Sequence, residues 1–300
     1  MKKILSIAMA AVMCLTMVAC GGGSGSDVTA DQGSASGSAG GSASASQSTD
    51  TSGDAESDLA YIKDKGDMII GYTVYAPMNY TDENGEFTGF DTELAKLVCE
   101  KLGVEPTFQE IDWGTKEVEL AGKSIDCIWN GMTLDADREA NMNCTQPYVK
   151  NAQVVVIKEG TEYTDTSSLI GQTVVAEIGS AGEIQILGSD DGEGNITEPD
   201  PNLAQSDYVG KSVQTDCLME VKAGTATAAV LDMTLANAMI GEDTDYEDLK
   251  IVDELAVENY GVAFRKGSDV RDEVNKIFDE LVADGSLGAL AEKYGLELAD

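Results

Sequence analysis

Residues 68–111 read MIIGYTVYAPMNYTDENGEFTGFDTELAKLVCEKLGVEPTFQEI. Met68 to Val74 is apolar and β-branched enough for a strand, and Asp82-Glu-Asn-Gly85 is a turn signal. From Asp91 the apolar residues recur at Leu94, Leu97, Val98 and Leu102, which is helical spacing, and Gly103 supplies a C-terminal stop. Val104 to Ile111 reads as a strand again. A strand, a helix and a second strand in so short a run predict an α/β unit.

Outward from this unit the alternation continues. Ser124 to Trp129 predicts a strand ending at Asn130-Gly131, and Gln153 to Lys158 and Gln172 to Glu177 predict two more. Gly179-Ser180-Ala181-Gly182 then leads into a helix. Ala226 to Leu231 is a short buried strand ending at Asp232, and Tyr260 to Arg265 is another strand. Val270, Val274, Ile277, Phe278 and Leu281 share one helical face, and Leu287, Leu290, Ala291 and Tyr294 mark a second helix. The acidic, Gly- and Pro-rich stretch from Gly188 to Ser206 is expected to be an exposed loop.

The N-terminal residues are of a different kind. Lys2 and Lys3 precede an apolar run from Ile4 to Ala19, the pattern of a signal peptide and too short for a typical membrane span. Residues 21–57 hold 9 Gly, 11 Ser and 6 Ala, with Val28 the one large apolar residue. Such a segment cannot bury enough surface to offset its chain entropy. It is expected to be a flexible tether of roughly 30–35 Å root-mean-square span.

Three hundred residues suffice for about two domains. Acids outnumber bases 54 to 19, a formal charge of −35. That excludes nucleic acid as a partner, because a polyanion needs Lys and Arg contacts. Of these acids only Asp27, Asp31, Asp50, Asp54 and Glu56 precede residue 58, so the acidity belongs to the folded body. There is no histidine, which removes His-based acid–base chemistry, Ser-His-Asp triads and His-ligated metals. Cys99, Cys127, Cys144 and Cys217 show no C-x-x-C spacing, so neither a metal nor a cofactor is expected. Buried thiols are the expected state of Cys99 and Cys127, and spacing leaves a disulfide open.

Five segments together carry a resemblance. Gly89-Phe-Asp-Thr-Glu-Leu-Ala95, Asn130-Gly-Met-Thr-Leu-Asp-Ala-Asp-Arg138, Thr145-Gln-Pro-Tyr148, Gly179-Ser180, and Asp284-Gly285 with Lys293-Tyr294-Gly295 occur in order. They resemble the signatures of family 3 solute-binding proteins, the polar amino acid receptors of ABC importers, over essentially all of residues 58–300. Leu15-Thr-Met-Val-Ala-Cys20-Gly21 resembles a bacterial lipobox, with Met17 in the usual Leu place. That resemblance implies that residues 1–20 hold a signal peptide ending at a lipidated Cys20, and that the chain is anchored on the outer (extracellular or periplasmic) face of the cell membrane.

The family resemblance implies a two-lobed fold of the periplasmic-binding-protein type with two crossover strands as a hinge. The first lobe would take residues 58–149 plus 262–300, and the second residues 150–261 with the hinge strands. The implied ligand is a free amino acid, a zwitterion that needs a fixed cation and a fixed anion in a dry cleft. Arg138 would hold the α-carboxylate, with Asn130, Gly131 and Thr133 supplying hydrogen bonds nearby. Asp232 would hold the α-ammonium, although capping a helix is its plainer use. Tyr75 and Trp113 would sandwich the side chain, and Ser180 and Ala181 would close on the carboxylate through their N–H groups. Tyr72 and Ala181 stand where some members carry Asp and Thr, which removes polar contacts. The implied partner is a membrane permease, with the chain itself a monomer and not an enzyme. An enzyme on the same scaffold, a dehydratase or a lyase, is the alternative, with Glu177 or Glu183 as the suspected acid–base group. A sensor or adhesin keeping the binding lobes is the other.

Overall fold

The computed structural model describes residues 57–190, 194 and 196–300. The signal sequence, Cys20 and nearly all of the tether therefore lie outside the described residues. One mixed sheet runs through the body in the order Asp207–Lys211, Thr173–Glu177, Ala228–Asp232, Val149–Lys158, Leu249–Phe264, Cys127–Thr133, Asp67–Tyr72, Glu105–Glu110. The three strands at one end are parallel to each other, as are the three at the other end. The pairings that involve the two middle strands are all antiparallel. Two α/β lobes are thus joined through one long antiparallel pair.

The 68–111 unit forms as expected: Asp67–Tyr72, helix Phe90–Leu102, and Glu105–Glu110 parallel to the first strand. Gly89 lets the helix start where it does, since its φ is 125° and a Cβ there would meet the Met78 carbonyl oxygen at 2.2 Å. Asp91 and Glu93 in the first turn and Lys101 in the last oppose the helix dipole, and Gly103 closes it in the left-handed conformation. Leu94, Ala95, Val98, Cys99 and Leu102 are buried.

Three expectations need correction. The strand expected to end at Asn130-Gly131 continues to Thr133, with all seven residues buried. The last strand begins at Leu249, eleven residues before Tyr260, and runs for 16 residues. It pairs first with Val149–Lys158 and then with Cys127–Thr133, so one continuous strand belongs to both lobes. The stretch from Gly188 to Ser206 is not simply an exposed loop. Ser189–Asp190 pairs with Ile196–Thr197, and Leu203 is fully buried beside Val155, Leu169 and Ile186. Asp200 holds that turn by accepting from the backbone N–H of Asn202 and Leu203 at 2.8 and 2.9 Å.

Cys99, Cys127 and Cys217 are buried, and all four body cysteines are free thiols. Burial pushes each thiol up, that of Cys99 to about 12, so none is poised as a nucleophile. Among the described residues, no helix is long and apolar enough to cross a membrane, and no cluster of acidic and cysteine side chains could hold a metal ion.

Candidate functional site

The strand ends converge on one small, nearly filled cavity between the lobes, with about 10 Å³ open to water. It is lined by Tyr75, Trp113, Asn130, Gly131, Thr133, Arg138, Ser180, Ala181 and Asp232, together with Glu177 and Gln214. All nine positions singled out in the sequence therefore meet in one place, although they span more than 150 residues of chain.

Arg138 lies in the short helix Ala136–Asn141, started by Asp135, whose carboxylate accepts the Arg138 backbone N–H at 2.8 Å. Its guanidinium is 4% exposed by residue. Nη1 donates to the Thr133 carbonyl at 2.8 Å and Nη2 to the Gly179 carbonyl at 3.1 Å. Nε lies 3.2 Å from the Asp135 carboxylate, an ion pair without hydrogen-bond alignment. Three of five N–H groups thus face protein partners. One on each terminal nitrogen is left unassigned among the described residues, the number a carboxylate takes up in a fork. The Gly179 carbonyl also accepts from Lys116 Nζ at 3.0 Å, and Ser189 Oγ donates to Asp137 at 2.5 Å. These contacts join residues of the two lobes beside the cavity.

Asp232 ends its strand at the N-cap position of helix Met233–Met239, yet its side chain makes no capping bond. The plain helix-cap reading therefore fails. Oδ1 instead accepts from Asn151 Nδ2 at 2.7 Å and Gln153 Nε2 at 2.6 Å, while Oδ2 accepts from Gln214 Nε2. Asn151 and Gln153 also donate to Glu258, at 2.6 and 2.9 Å, and Thr133 Oγ1 donates to it at 2.7 Å. Burial, above all, raises Asp232, against the hydrogen bonds from Gln214 and Gln153. Burial and then repulsion by Asp232 push Glu258 to about 8.

Several positions do something other than expected. The Asn130 side chain is turned into the scaffold: it donates to the Thr73 carbonyl and Asn79, and accepts from Thr73 N–H and Oγ1. The Gly131 N–H is already given to Asp91, at 2.6 Å. Gly131 is needed for space, since its φ is +57° and a Cβ would meet the Tyr75 ring at 2.7 Å. Tyr75 is fixed from its other end by a 2.5 Å bond between its hydroxyl and that of Tyr260. Ser180 caps helix Ala181–Leu187 by accepting the Glu183 N–H, and its own N–H reaches the Glu177 carbonyl at 3.2 Å. Trp113 packs its ring under Lys116 Nζ, 4.9 Å from the ring centre. Glu183 lies off the cavity, its carboxylate taken by the Gly179 N–H and the Tyr208 hydroxyl.

Sequence reasoning missed Gln214, Asn151, Gln153 and Glu258. Three of the four were detectable: Asn151 and Gln153 are polar at i and i+2 just before the apolar run Val154–Ile157, and Glu258 stands two before Tyr260. Nothing local marks Gln214. A larger groove, about 570 Å³, is lined by Pro77, Lys150, Met233 and Leu296 among others. Its lysine is already paired with Glu297 and Asp300, so it offers no dry charge pair.

The buried acids make stability depend on pH. Burial is the first cause in each case: Asp91 rises to about 7 and Glu177 and Glu258 to about 8. A carboxyl raised on folding binds its proton more tightly in the native state, so native stability falls as pH rises toward these values. Each group that stays protonated contributes about 1.4 kcal/mol per pH unit to that fall. The midpoint of urea denaturation is therefore expected to drop between pH 5.5 and pH 8. A flat profile over that window would mean these carboxyls are not held as described.

Comparison with known proteins agrees with this architecture. A family model for bacterial extracellular solute-binding proteins, family 3, matches residues 68–297. The chain is 27% identical over 232 residues to the arginine-binding extracellular protein ArtP of Bacillus subtilis, covering 77% of this chain and 86% of that protein. It is 26% identical over 245 residues to the L-cystine-binding protein TcyJ of Escherichia coli, covering 80% and 86%. A crystal structure of a mutant of ArgBP from T. maritima superposes with a TM-score of 0.69 at 29% identity, covering 79% of this chain and 98% of that one. With the matched region spanning both lobes, the chain belongs to the bacterial extracellular solute-binding proteins, family 3.

Proposed function

We propose that this protein captures a free amino acid between its two lobes, outside the cell membrane, and delivers it unchanged to the permease of an ABC importer. The observation that carries this reading is the pairing of Arg138 and Asp232 on one cavity, 4% and 5% exposed. Beyond its ion pair with Asp135, Arg138 keeps two N–H groups open, and Asp232 has no cation within ion-pair distance among the described residues, so a zwitterion answers both at once. The α-carboxylate would lie in the fork of Arg138, the α-ammonium on Asp232, and the side chain against Tyr75 and Trp113. The binding of arginine and cystine by similar proteins supports an amino acid as the ligand class.

The lobes would comprise residues 58–149 with 262–300, and residues 150–261. The hinge would sit where Lys150 to Gln153 pairs with Ala256 to Asn259. Bending there opens the cavity, and closure excludes water and strengthens both ion pairs. Cys20 would carry the lipid anchor and residues 21–57 the spacing from the membrane, with the protein acting as a monomer.

The test is a thermal-shift screen of the twenty amino acids plus ornithine and cystine. A true ligand at 100 times its Kd should add about 2.7 kcal/mol of stability. Stabilisation by none of them at millimolar concentration would contradict the reading. An acid–base enzyme is the second reading, favoured by one feature, the raised Glu177 in the cavity. Mass spectrometry of the stabilising compound after prolonged incubation separates the two: a carrier returns it intact.

A further inference from the structure

Glu177 closes the strand Thr173–Glu177, next to the parallel strand that ends in Asp232. It is 3% exposed and lines the cavity with Arg138 and Asp232. Its Oε1 makes no hydrogen bond among the described residues. No lysine or arginine comes within ion-pair distance of it among the described residues. Lys116 donates to the carbonyls of Trp113 and Gly179, and Arg138 to those of Thr133 and Gly179, so their hydrogen bonds among the described residues go elsewhere. A buried carboxylate oxygen with no partner, facing the ligand space, lacks a donor that the protein does not supply.

We propose that Glu177 reads the far end of the ligand side chain, and that the ligand is an amino acid whose side chain ends in a cationic nitrogen group, a guanidinium or an ammonium. The proposal rests on the reading of Arg138 and Asp232 above, which leaves Glu177 as the one cavity carboxylate not assigned to the α-groups. Tyr75 and Trp113 line the same cavity and are residue types whose rings attract a cation; Trp113 already carries Lys116 Nζ 4.9 Å from its ring centre. The charges around Glu177 leave room for another positive group. Asp232 repels it from the neighbouring strand, Lys116 and Arg138 attract it from across the cavity, and the Cys217 thiol and Gln214 face it from helix Gln214–Ala223. Burial and the repulsion by Asp232 raise Glu177 to about 8, so much of it carries a proton at neutral pH. A ligand cation beside it holds it ionised, and binding at pH 7 then releases a proton.

The experiment is calorimetric titration of the full chain with L-arginine against L-citrulline, and L-lysine against L-norleucine, pairs that differ in the terminal charge. The wild-type protein is expected to prefer the charged member of at least one pair by about 100-fold, as expected when a buried charged group loses its partner. Arginine or lysine binding at pH 7, repeated in two buffers of different ionisation enthalpy, is expected to show proton release. In Glu177→Gln the preference is expected to fall below about 10-fold, with the affinity for the neutral member changed little. Equal affinity for the two members of both pairs, or a preference unmoved in Glu177→Gln, overturns the assignment. If that variant does not fold, the isostere ratio and the proton release of the wild-type protein decide. A neutral or acidic amino acid bound tightest, and still dependent on Arg138, overturns this inference and leaves the amino acid reading standing. Binding of no amino acid at all removes both.

Discussion

Arg138→Ala is expected to lose amino acid binding by about 3–5 kcal/mol, the cost of leaving one partner of a buried charge pair alone. That is a loss of between about 100-fold and several thousand-fold in affinity. The missing group is a planar fork whose two open N–H groups no neighbouring side chain can replace. Its removal also takes a donor from the carbonyls of Thr133 and Gly179, of which Gly179 keeps Lys116. A moderate drop in stability, about 1–2 kcal/mol, is expected as well. Two measurements keep these effects apart. Calorimetry on the amino acid and on its carboxamide should show a strong preference for the acid in the wild-type protein and almost none in the variant. Arg138→Lys keeps the charge but not the fork, so its affinity should fall between the two.

Asp232→Asn is expected to cost about 100-fold in affinity, in keeping with the loss of one charge from a buried pair. Here the discriminating ligand is the des-amino analogue. Wild-type protein should reject it, and the variant should bind it nearly as well as the amino acid. The same substitution should act on the free protein in the opposite direction. Asp232 is a repulsive neighbour of both Glu177 and Glu258 and contributes to their raised values. Removing its charge lowers both carboxyls toward their ordinary range, and the loss of stability between pH 5.5 and pH 8 should become shallower. Weakened binding together with a flattened pH profile is the signature of a carboxylate held for a ligand at the expense of the fold. A variant that binds as tightly as the wild-type protein would remove Asp232 from the site.

Periodicity made most of the fold legible. The helix from Phe90 and the two C-terminal helices repeat apolar residues at helical spacing, and left-handed Gly103, Gly285 and Gly295 mark where the first ends and where the last begins and ends. The short strands are apolar runs between turn residues. The first part of the long strand, 249–259, was hidden because five of its residues, Lys250, Asp253, Glu254, Glu258 and Asn259, are polar and only Leu249 is buried: it crosses between lobes, where burial is partial. Leu203 was hidden for the converse reason. It is one apolar residue in an acidic, Gly-rich stretch, and only packing against Val155 and Leu169, distant in sequence, buries it.

The site was legible through the resemblance and not through residue type. Alone, Arg138 reads as a surface ion pair and Asp232 as a helix cap, and only the matched segments around them pointed to a shared cleft. Gly131 was expected to offer a backbone hydrogen bond, whereas its N–H is spent on Asp91 and its contribution is the absence of a side chain beside Tyr75. Asn130 likewise builds the wall without offering its side chain to the cavity. The polar ring of Asn151, Gln153, Gln214 and Glu258 that holds Asp232 depends on tertiary approach of three strands and one helix, which no single window of sequence contains.

The most direct test of the central claim is a crystal structure of the protein with its stabilising amino acid bound. The account predicts the α-carboxylate in the fork of Arg138 and the α-ammonium within hydrogen-bond reach of Asp232, both enclosed by Tyr75 and Trp113. A ligand bound with those two groups turned elsewhere, or seated in the groove beside Lys150 and Leu296, would contradict it.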